Sequence, residues 1–504
     1  MNRLGIIYIG TNSIKLVLSE IDDNGYFHII DELTSSVRLC YDLIDGDAIT
    51  EEMIDETLLT LKSFKSLCLV SGVKKIITVA TEIFRLSSNK DYFLDKIKTE
   101  VDLEIEVLPN EEELYYNYLG VTNSIYFDNS LLVSICGSVT HFVWIVNNEI
   151  KESTSVPIGS VNLSYTFDLQ DRINNKDLDI AKGLIDTTLA GYPWLKEDNF
   201  DSIIVVGGTV RAMAKIDRFR KRYPFEITHN YIMNDYDIHD VYNLVKSKDL
   251  KLRRKIEGLS YDRADIIVGG ALLLQKIIDL VHNTKIIVSG RGLREGILFE
   301  HINMNYRPIG DILDYSINGV LGNLNMNKCH ANHISLIASK LFEGLKPVHK
   351  LTNEYDHVLK TASLLHDCGT SIDYYNHHRH SFYIILNSNL NGLTHRELLL
   401  SAAIAASHRN NTYHLPMVQF SGLINMADIN VIERLGTILK IAEGLDRSLE
   451  GAVKDLEVII NEEDVTILLT SELDLDLEIR QALRSSNRFK EVYNKTLIIQ
   501  KSHP

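Results

Sequence analysis

The stretch Leu4-Gly5-Ile6-Ile7-Tyr8-Ile9-Gly10-Thr11-Asn12-Ser13-Ile14-Lys15-Leu16-Val17-Leu18 decides how the rest of the chain is read. Its first six residues are mostly apolar and rich in isoleucine, Gly10–Ser13 has turn chemistry, and an apolar run resumes behind it. This is strand, tight loop, strand. Asp22-Asp23-Asn24-Gly25 marks a second turn before another short strand at 26–30. The same design recurs: a strand at 130–135, the loop Cys136-Gly137-Ser138-Val139-Thr140, a strand at 141–146, and a turn at Asn147-Asn148. Two such units predict a duplicated α/β domain.

Between the units the pattern predicts an amphipathic helix from 51 to about 71, a buried strand at 75–80 and a helix from about 89. A strand at 103–108 and a helix from 110 follow. Two further buried strands end in glycine loops: 202–206 before Gly207-Gly208-Thr209, and 285–289 before Gly290-Arg291-Gly292. After about residue 300 strand signals vanish. Helical periodicity runs from 309 to about 449, and eleven of the 18 histidines crowd between His330 and His414. Alternation returns at 456–501 around a helix at 477–485. The expected segments are α/β domains at 1–122 and 123–302, an all-α domain at 303–453 and a small α+β segment at 454–504.

At 504 residues the chain is long enough for several domains of roughly 150 residues. With 45% hydrophobic and 24% charged residues it is a folded protein rather than a disordered one. Lys plus Arg is 52 against 68 Asp plus Glu, a net −16, which excludes a general counterion-release nucleic-acid binder. Any polyphosphate or nucleotide must meet a local positive or amide-lined site. Five scattered cysteines (Cys40, Cys68, Cys136, Cys329, Cys368) form no Cys-x-x-Cys pair and read as free thiols of a reducing cytoplasm. No apolar run is long enough to span a bilayer, and the run at 5–9 is too short for a signal peptide. The expectation is a cytoplasmic protein with no membrane partner.

Loops that join strands through Gly, Ser, Thr and Asn let the backbone approach a phosphate, turn successive amides inward and add hydroxyl donors. Gly10, Thr11, Asn12 and Ser13 form the first candidate loop, Gly137, Ser138 and Thr140 the second, and Gly208 and Thr209 the third. Each alone is commonly a plain turn. Three at the ends of buried strands in a duplicated frame point to one ligand crevice.

On these residues the sequence resembles the exopolyphosphatase and guanosine pentaphosphate phosphohydrolase family, a branch of the actin-like (ribonuclease H-like) ATPase fold. The matching stretches are Ile9-Gly10-Thr11-Asn12-Ser13, Ala80-Thr81-Glu82-Ile83-Phe84-Arg85, Asn110-Glu111-Glu112-Glu113, Gly207-Gly208-Thr209, Arg263-Ala264-Asp265 and Gly292-Leu293-Arg294-Glu295-Gly296. Leu365-His366-Asp367, Arg379-His380-Ser381 and Gly444-Leu445-Asp446-Arg447-Ser448 extend them into the helical region. The resemblance implies hydrolysis of a terminal phosphoanhydride of inorganic polyphosphate or of a guanosine penta- or tetraphosphate. It implies Glu113, beside Glu112, as the residue that activates water, Arg85 as a phosphate contact, and a homodimer as the default assembly. Read alone, three acids at a helix start suit the helix dipole.

The departures from the family pattern fall on the metal. The family's first loop begins with Asp where this chain has Tyr8. Its second reads Asp-Ile-Gly-Gly-Gly-Ser-Thr-Glu, where this chain has Ser134-Ile135-Cys136-Gly137-Ser138-Val139-Thr140-His141. The implied cofactor is Mg²⁺, a hard cation that takes oxygen ligands, so losing three carboxylates predicts a weakened site. A catalytically reduced sensor of polyphosphate or of an alarmone nucleotide therefore stands beside the enzyme reading.

A third reading lies in the helical region. His366-Asp367, preceded by His330 and followed by Glu443, resembles the divalent-metal set of HD phosphohydrolases, with Glu443 in the place of an Asp. His378, His380 and His408 are candidates for a second metal. Two basic runs, Lys215 to Arg222 and Lys251 to Lys255, read either as solvated faces or as guides for an anionic chain.

Overall fold

The opening stretch forms the strands its apolar runs call for. In the computed structural model, which describes residues 2–197, 200–282, 285–409 and 415–502, β1 (Asn2–Ile9) and β2 (Ile14–Ile21) pair antiparallel from Asn2↔Ile21 to Ile9↔Ile14. β3 (Phe27–Ser35) continues the meander, and β4 (Lys75–Ala80) and β5 (Glu106–Val107) add on the other side, parallel to β1. The sheet order is β3-β2-β1-β4-β5. β1 and β2 are buried on both faces, which is why both read as near-continuous apolar runs. The strand expected at 103–108 shrinks to the two residues of β5. Leu103 and Leu108 are buried there for packing without joining the ladder.

The second repeat copies this order. β6 (Asn129–Ile135), β7 (Thr140–Val146) and β8 (Glu149–Val156) form the meander. β9 (Ser202–Val206) pairs parallel with β6, and β11 (Ile286–Val288) with β9; β10 (Tyr231–Met233) closes the edge antiparallel to β11. The order β10-β11-β9-β6-β7-β8 is the first sheet's plan with one strand added. This is the duplicated actin-like architecture expected from the sequence.

Helix Glu51–Val70 is capped by Thr50 and buries Ile54, Leu58, Leu61, Phe64 and Cys68 at helical spacing. Two other helices position the site. Asn110–Thr122 packs Leu114 and Val121 against β6, β7 and β9 of the second sheet, while Leu293–Asn305 packs Leu293 and Ile297 against β1 and β4 of the first. They cross so closely that a Cβ on Gly296 would sit 1.9 Å from the Tyr116 carbonyl oxygen. Glycine is required at that crossing.

The chain divides into two compact units, Met1–Ile312 and Leu313–Pro504. The second holds the expected helices, among them Lys328–Gly344, Asp356–Leu365, His377–Asn387, His395–Ser407 and Met426–Gly444. A small sheet ends it, with β12 (Asp455–Ile460) antiparallel to β13 (Asp464–Thr470) and β14 (Thr496–Lys501) parallel to β13. Between β13 and β14 lie helices Asp476–Ala482 and Ser486–Tyr493, the latter additional to the one helix expected there. Among the described residues no helix is long and apolar enough to cross a membrane.

Candidate functional site

The two repeated hairpins close in the same way. Gly10 N–H donates to Ser13 O at 3.0 Å, and Cys136 N–H donates to Val139 O at 3.0 Å. They meet tip to tip: a Cβ on Gly137 would lie 2.2 Å from Thr11 Oγ1. With Gly207-Gly208-Thr209, at the start of helix Gly208–Lys221, they line one cleft in the first unit. Backbone amides and hydroxyls at a helix N-terminus suit an anion.

Four cations line the same cleft: Lys15, Arg211, Arg263 and Arg294. Arg294 pairs with Glu32. Among the described residues the side chains of Lys15, Arg211 and Arg263 have no hydrogen bond or ion pair. Burial, then the nearby Arg211, Arg294 and Arg263, push the Lys15 ammonium down to about 6. Burial and Arg211 bring Arg263 down to about 10, and burial with Arg294 lowers Arg211. Basic groups crowded together, three of them without a direct ion pair, suit an anion of several charges.

Glu113 also lines the cleft, almost wholly buried on helix Asn110–Thr122. One carboxylate oxygen receives Arg85 Nη2 at 3.2 Å. The other lies 3.6 Å from His141 Nε2 and 3.7 Å from the Cys136 thiol, which donates to it. Burial raises its pKa, but His141 and Arg85 outweigh that and hold it below the ordinary carboxylate range, so Glu113 is ionised. Its neighbour Glu82 behaves oppositely, pushed up to about 7 by burial and by Glu113. Tyr8 lies over Gly10, where a Cβ would be 2.9 Å from the tyrosine oxygen. Burial and then Glu113 raise the Tyr8 pKa, so it stays a neutral phenol.

These residues do not fit Mg²⁺. Besides Glu113, the other carboxylate lining the cleft is Glu295, which accepts from Gly292 N–H at 2.9 Å and lies 3.7 Å from Arg294. The donors grouped around Glu113 are a thiol and an imidazole, which suit softer ions than one that demands oxygen. Positive charge in this cleft comes chiefly from the guanidinium groups of Arg211, Arg263 and Arg294.

A second constellation lies in the helical unit. His330, His366 and Glu443 bring ligand atoms within 4.8 Å of one another, and so do Asp367, His377 and His408. Helix ends place them. His330 is in the first turn of a helix capped by Asn327, while His366-Asp367 and His408 follow the last turns of theirs. Glu443 closes the helix that Asn425 caps.

Family models match both regions: the Ppx/GppA phosphatase family over residues 17–304, and Ppx/GppA phosphatase domain III over 312–488. The chain belongs to the Ppx/GppA phosphatase family. These are phosphohydrolases acting on phosphoanhydrides. Over 504 residues the chain is 24% identical to the guanosine-5′-triphosphate,3′-diphosphate pyrophosphatase of Aeromonas salmonicida, covering 96% of this chain and 98% of that one. It is 30% identical over 308 residues to a bifunctional 3-dehydroquinate synthase/phosphatase of Fusobacterium nucleatum, covering 59% of this chain but only 46% of that larger protein. A solved exopolyphosphatase from Cytophaga hutchinsonii aligns with 26% identity and a TM-score of 0.56, covering 61% of this chain and 100% of that one. The Ppx/GppA structure from Aquifex aeolicus gives 28% and 0.53, with coverage of 60% and 99%.

Within this Ppx/GppA frame, Gly10, Thr11, Asn12, Ser13, Gly137, Gly208, Thr209 and Glu113 come together in the cleft. Four expected residues stand elsewhere. Glu112 is exposed, one helical step from Glu113. Thr140 is buried in β7, its hydroxyl donating to Ile158 O at 2.7 Å. Arg85 is outside the lining; it binds Leu108 O, Asn110 Oδ1 and Glu113, so it orients the carboxylate. Ser138, at the hairpin tip, is also outside the lining and beside Glu82. The basic runs are partly structural: Arg218 donates to Phe225 O and Ile227 O, and the fully buried Arg253 to Val245 O, Lys248 O, Gln170 O and others. In the helical set, His330, His366, Asp367 and Glu443 do converge. The second group takes His377 and His408, not His378 or His380. Sequence reading leaves out Lys15, Arg211 and His377. For Arg211 the available signal is its place two residues beyond Gly-Gly-Thr.

Proposed function

We propose that the cleft binds the end of an inorganic polyphosphate or a guanosine polyphosphate nucleotide and hydrolyses its terminal phosphoanhydride. The observation that carries this reading is the set of basic side chains without an ion pair, Lys15, Arg211 and Arg263, beside hairpins that line the same cleft. Glu113 is the base: an ionised carboxylate at the cleft wall, held by Arg85 and His141, takes a proton from the attacking water. Water oxygen bonds to the terminal phosphorus, the bridging P–O bond breaks, and the chain shortened by one phosphate leaves with the electron pair, a charge that Arg211, Arg263 and Arg294 neutralise. The Fusobacterium, Aeromonas and Cytophaga relatives support the reaction class.

Phosphate release from tripolyphosphate and from guanosine pentaphosphate tests this. Glu113→Gln should lower kcat about 100-fold or more while ligand affinity stays within a few-fold. Equal turnover in the variant and the wild type removes Glu113 from the chemistry. Tight binding with no turnover in the wild type makes the protein a sensor of these anions.

A second reading rests on the converging His330, His366, Asp367 and Glu443: the helical unit holds a divalent metal, as HD phosphohydrolases do. His330 Nε2 is buried without a hydrogen-bond partner and faces Glu443, as a ligand nitrogen would.

A further inference from the structure

Four imidazoles of the helical unit share one arrangement. The Nδ1 of His366 lies 2.7 Å from Ser363 O, that of His377 2.9 Å from Tyr374 O, and that of His408 2.5 Å from Ala405 O. Carbonyl oxygens only accept, so each Nδ1 carries a proton. His330 Nδ1 lies 2.7 Å from Asp446 Oδ2, whose other oxygen is 2.9 Å from His333 Nδ1. Every Nε2 therefore turns the other way, toward a carboxylate at the centre. Fixing one ring nitrogen so that the other points inward is how proteins orient metal-binding histidines.

The centre has two halves. His330 Nε2 and His366 Nε2 lie 3.3 Å and 3.1 Å from Glu443 Oε2. His377 Nε2 and His408 Nε2 lie 3.0 Å and 3.7 Å from Asp367 Oδ1, and only 3.0 Å from each other. With Nδ1 protonated on both rings, two neutral imidazoles aim nitrogen lone pairs at one another across that gap, which a shared cation relieves as a proton on one ring would. Asp367 joins the halves, because its Oδ2 faces His366 Nε2 at 3.7 Å while its Oδ1 faces the second pair.

We infer that the helical unit holds two divalent cations, one on His330, His366 and Glu443 and one on His377 and His408, bridged by Asp367, and that this centre hydrolyses a phosphate monoester. The inference rests on the reading of this unit as metal-binding and adds the second cation, its ligands and the substrate. A cavity opens on His330, His366 and Asp367, lined also by Asn327, Thr370 and Ser371. Two guanidiniums flank the ligands: Arg447 Nη1 lies 3.6 Å from Glu443, and Arg409 Nη1 lies 3.5 Å from His377 while its Nη2 donates to Tyr374 OH at 2.8 Å. Two cations and two arginines match the double charge of a monoester better than the single charge of a diester. Paired cations supply an activated water and neutralise the phosphate oxygens. Water oxygen bonds to phosphorus, the P–O ester bond breaks, its electron pair leaves on the alcohol oxygen, and one water proton goes to that oxygen and the other to solvent.

The full-length protein, stripped with a chelator and dialysed against Mn²⁺ or Co²⁺, should bind two ions per chain by elemental analysis. The count should fall to one in His377→Gln and in His408→Gln, with matching loss of cobalt absorption and an unchanged far-ultraviolet spectrum. One ion in the wild type overturns the two-cation centre and leaves the metal-binding reading standing; none overturns both. The Mn²⁺ form should hydrolyse p-nitrophenyl phosphate, with kcat/KM falling on the order of 100-fold in Asp367→Asn. KM should rise about tenfold in Arg447→Ala. Preference for bis(p-nitrophenyl) phosphate, or turnover indifferent to Asp367→Asn, overturns the monoester assignment.

Discussion

Lys15 shows how a single residue reports on the cleft. Its ammonium, pushed down to about 6, is mostly neutral at pH 8. A bound oligophosphate brings the negative charge it lacks and raises its pKa, so binding takes up a proton. Calorimetry with tripolyphosphate at pH 8 in two buffers of different ionisation enthalpy should show that uptake, and Lys15→Met should abolish it. Affinity should weaken as pH rises above about 6. Glu82 gives a stability test of opposite kind. Its folded pKa is near 7 against 4.5 unfolded, so between those values the native state holds the extra proton. Stability therefore falls as pH rises from 4.5 to 7, by about 3 kcal/mol at most. Glu82→Gln should flatten that slope in urea titrations; an unchanged slope would place it elsewhere.

Hairpins and helices set what these residues can do. Gly137→Ala puts a methyl group into Thr11 across the hairpin tips. Both hairpins must shift, and tripolyphosphate affinity should drop by tenfold or more, roughly the 1.4 kcal/mol of one misplaced hydrogen bond. Arg253→Met should cost about 3 kcal/mol or more in urea unfolding, because it strips a guanidinium from several buried carbonyls at once. The hairpins themselves were legible, since glycine and hydroxyl residues between isoleucine-rich runs have few other uses. Of the cleft's cations, Arg263 and Arg294 fall in the quoted family stretches, but Lys15 and Arg211 were not legible. Lys15 reads as an ordinary outward residue of an alternating strand, and Arg211 as one more polar helix position. Arg253 differs from Arg254 only in which way the chain turns, so a basic run cannot say which member is buried. In His377-His378-Arg379-His380 the helical step of about 100° per residue decides that His377, not His378 or His380, meets His408.

At the scale of the whole molecule, a net charge of −16 surrounds a cleft of uncompensated cations, so recognition of an anion is local. The duplicated sheets and the helical unit were readable from repeats and periodicity. The loss of three metal-site carboxylates was readable too, at Tyr8, Ser134 and His141; the gathering of Lys15, Arg211, Arg263 and Arg294 in one cleft was not, because it joins residues scattered along the chain. Its two candidate centres use different charge carriers, so a chelator should separate them: Glu113→Gln should leave the helical unit's metal content as in the wild type. The most direct measurement of the cleft's chemistry is a calorimetric titration of tripolyphosphate into the protein with excess EDTA and no added Mg²⁺. The uncompensated cations predict binding as tight as with Mg²⁺, weakened about tenfold or more in Arg211→Ala. Binding that appears only when Mg²⁺ is restored, or that ignores Arg211→Ala, would contradict it.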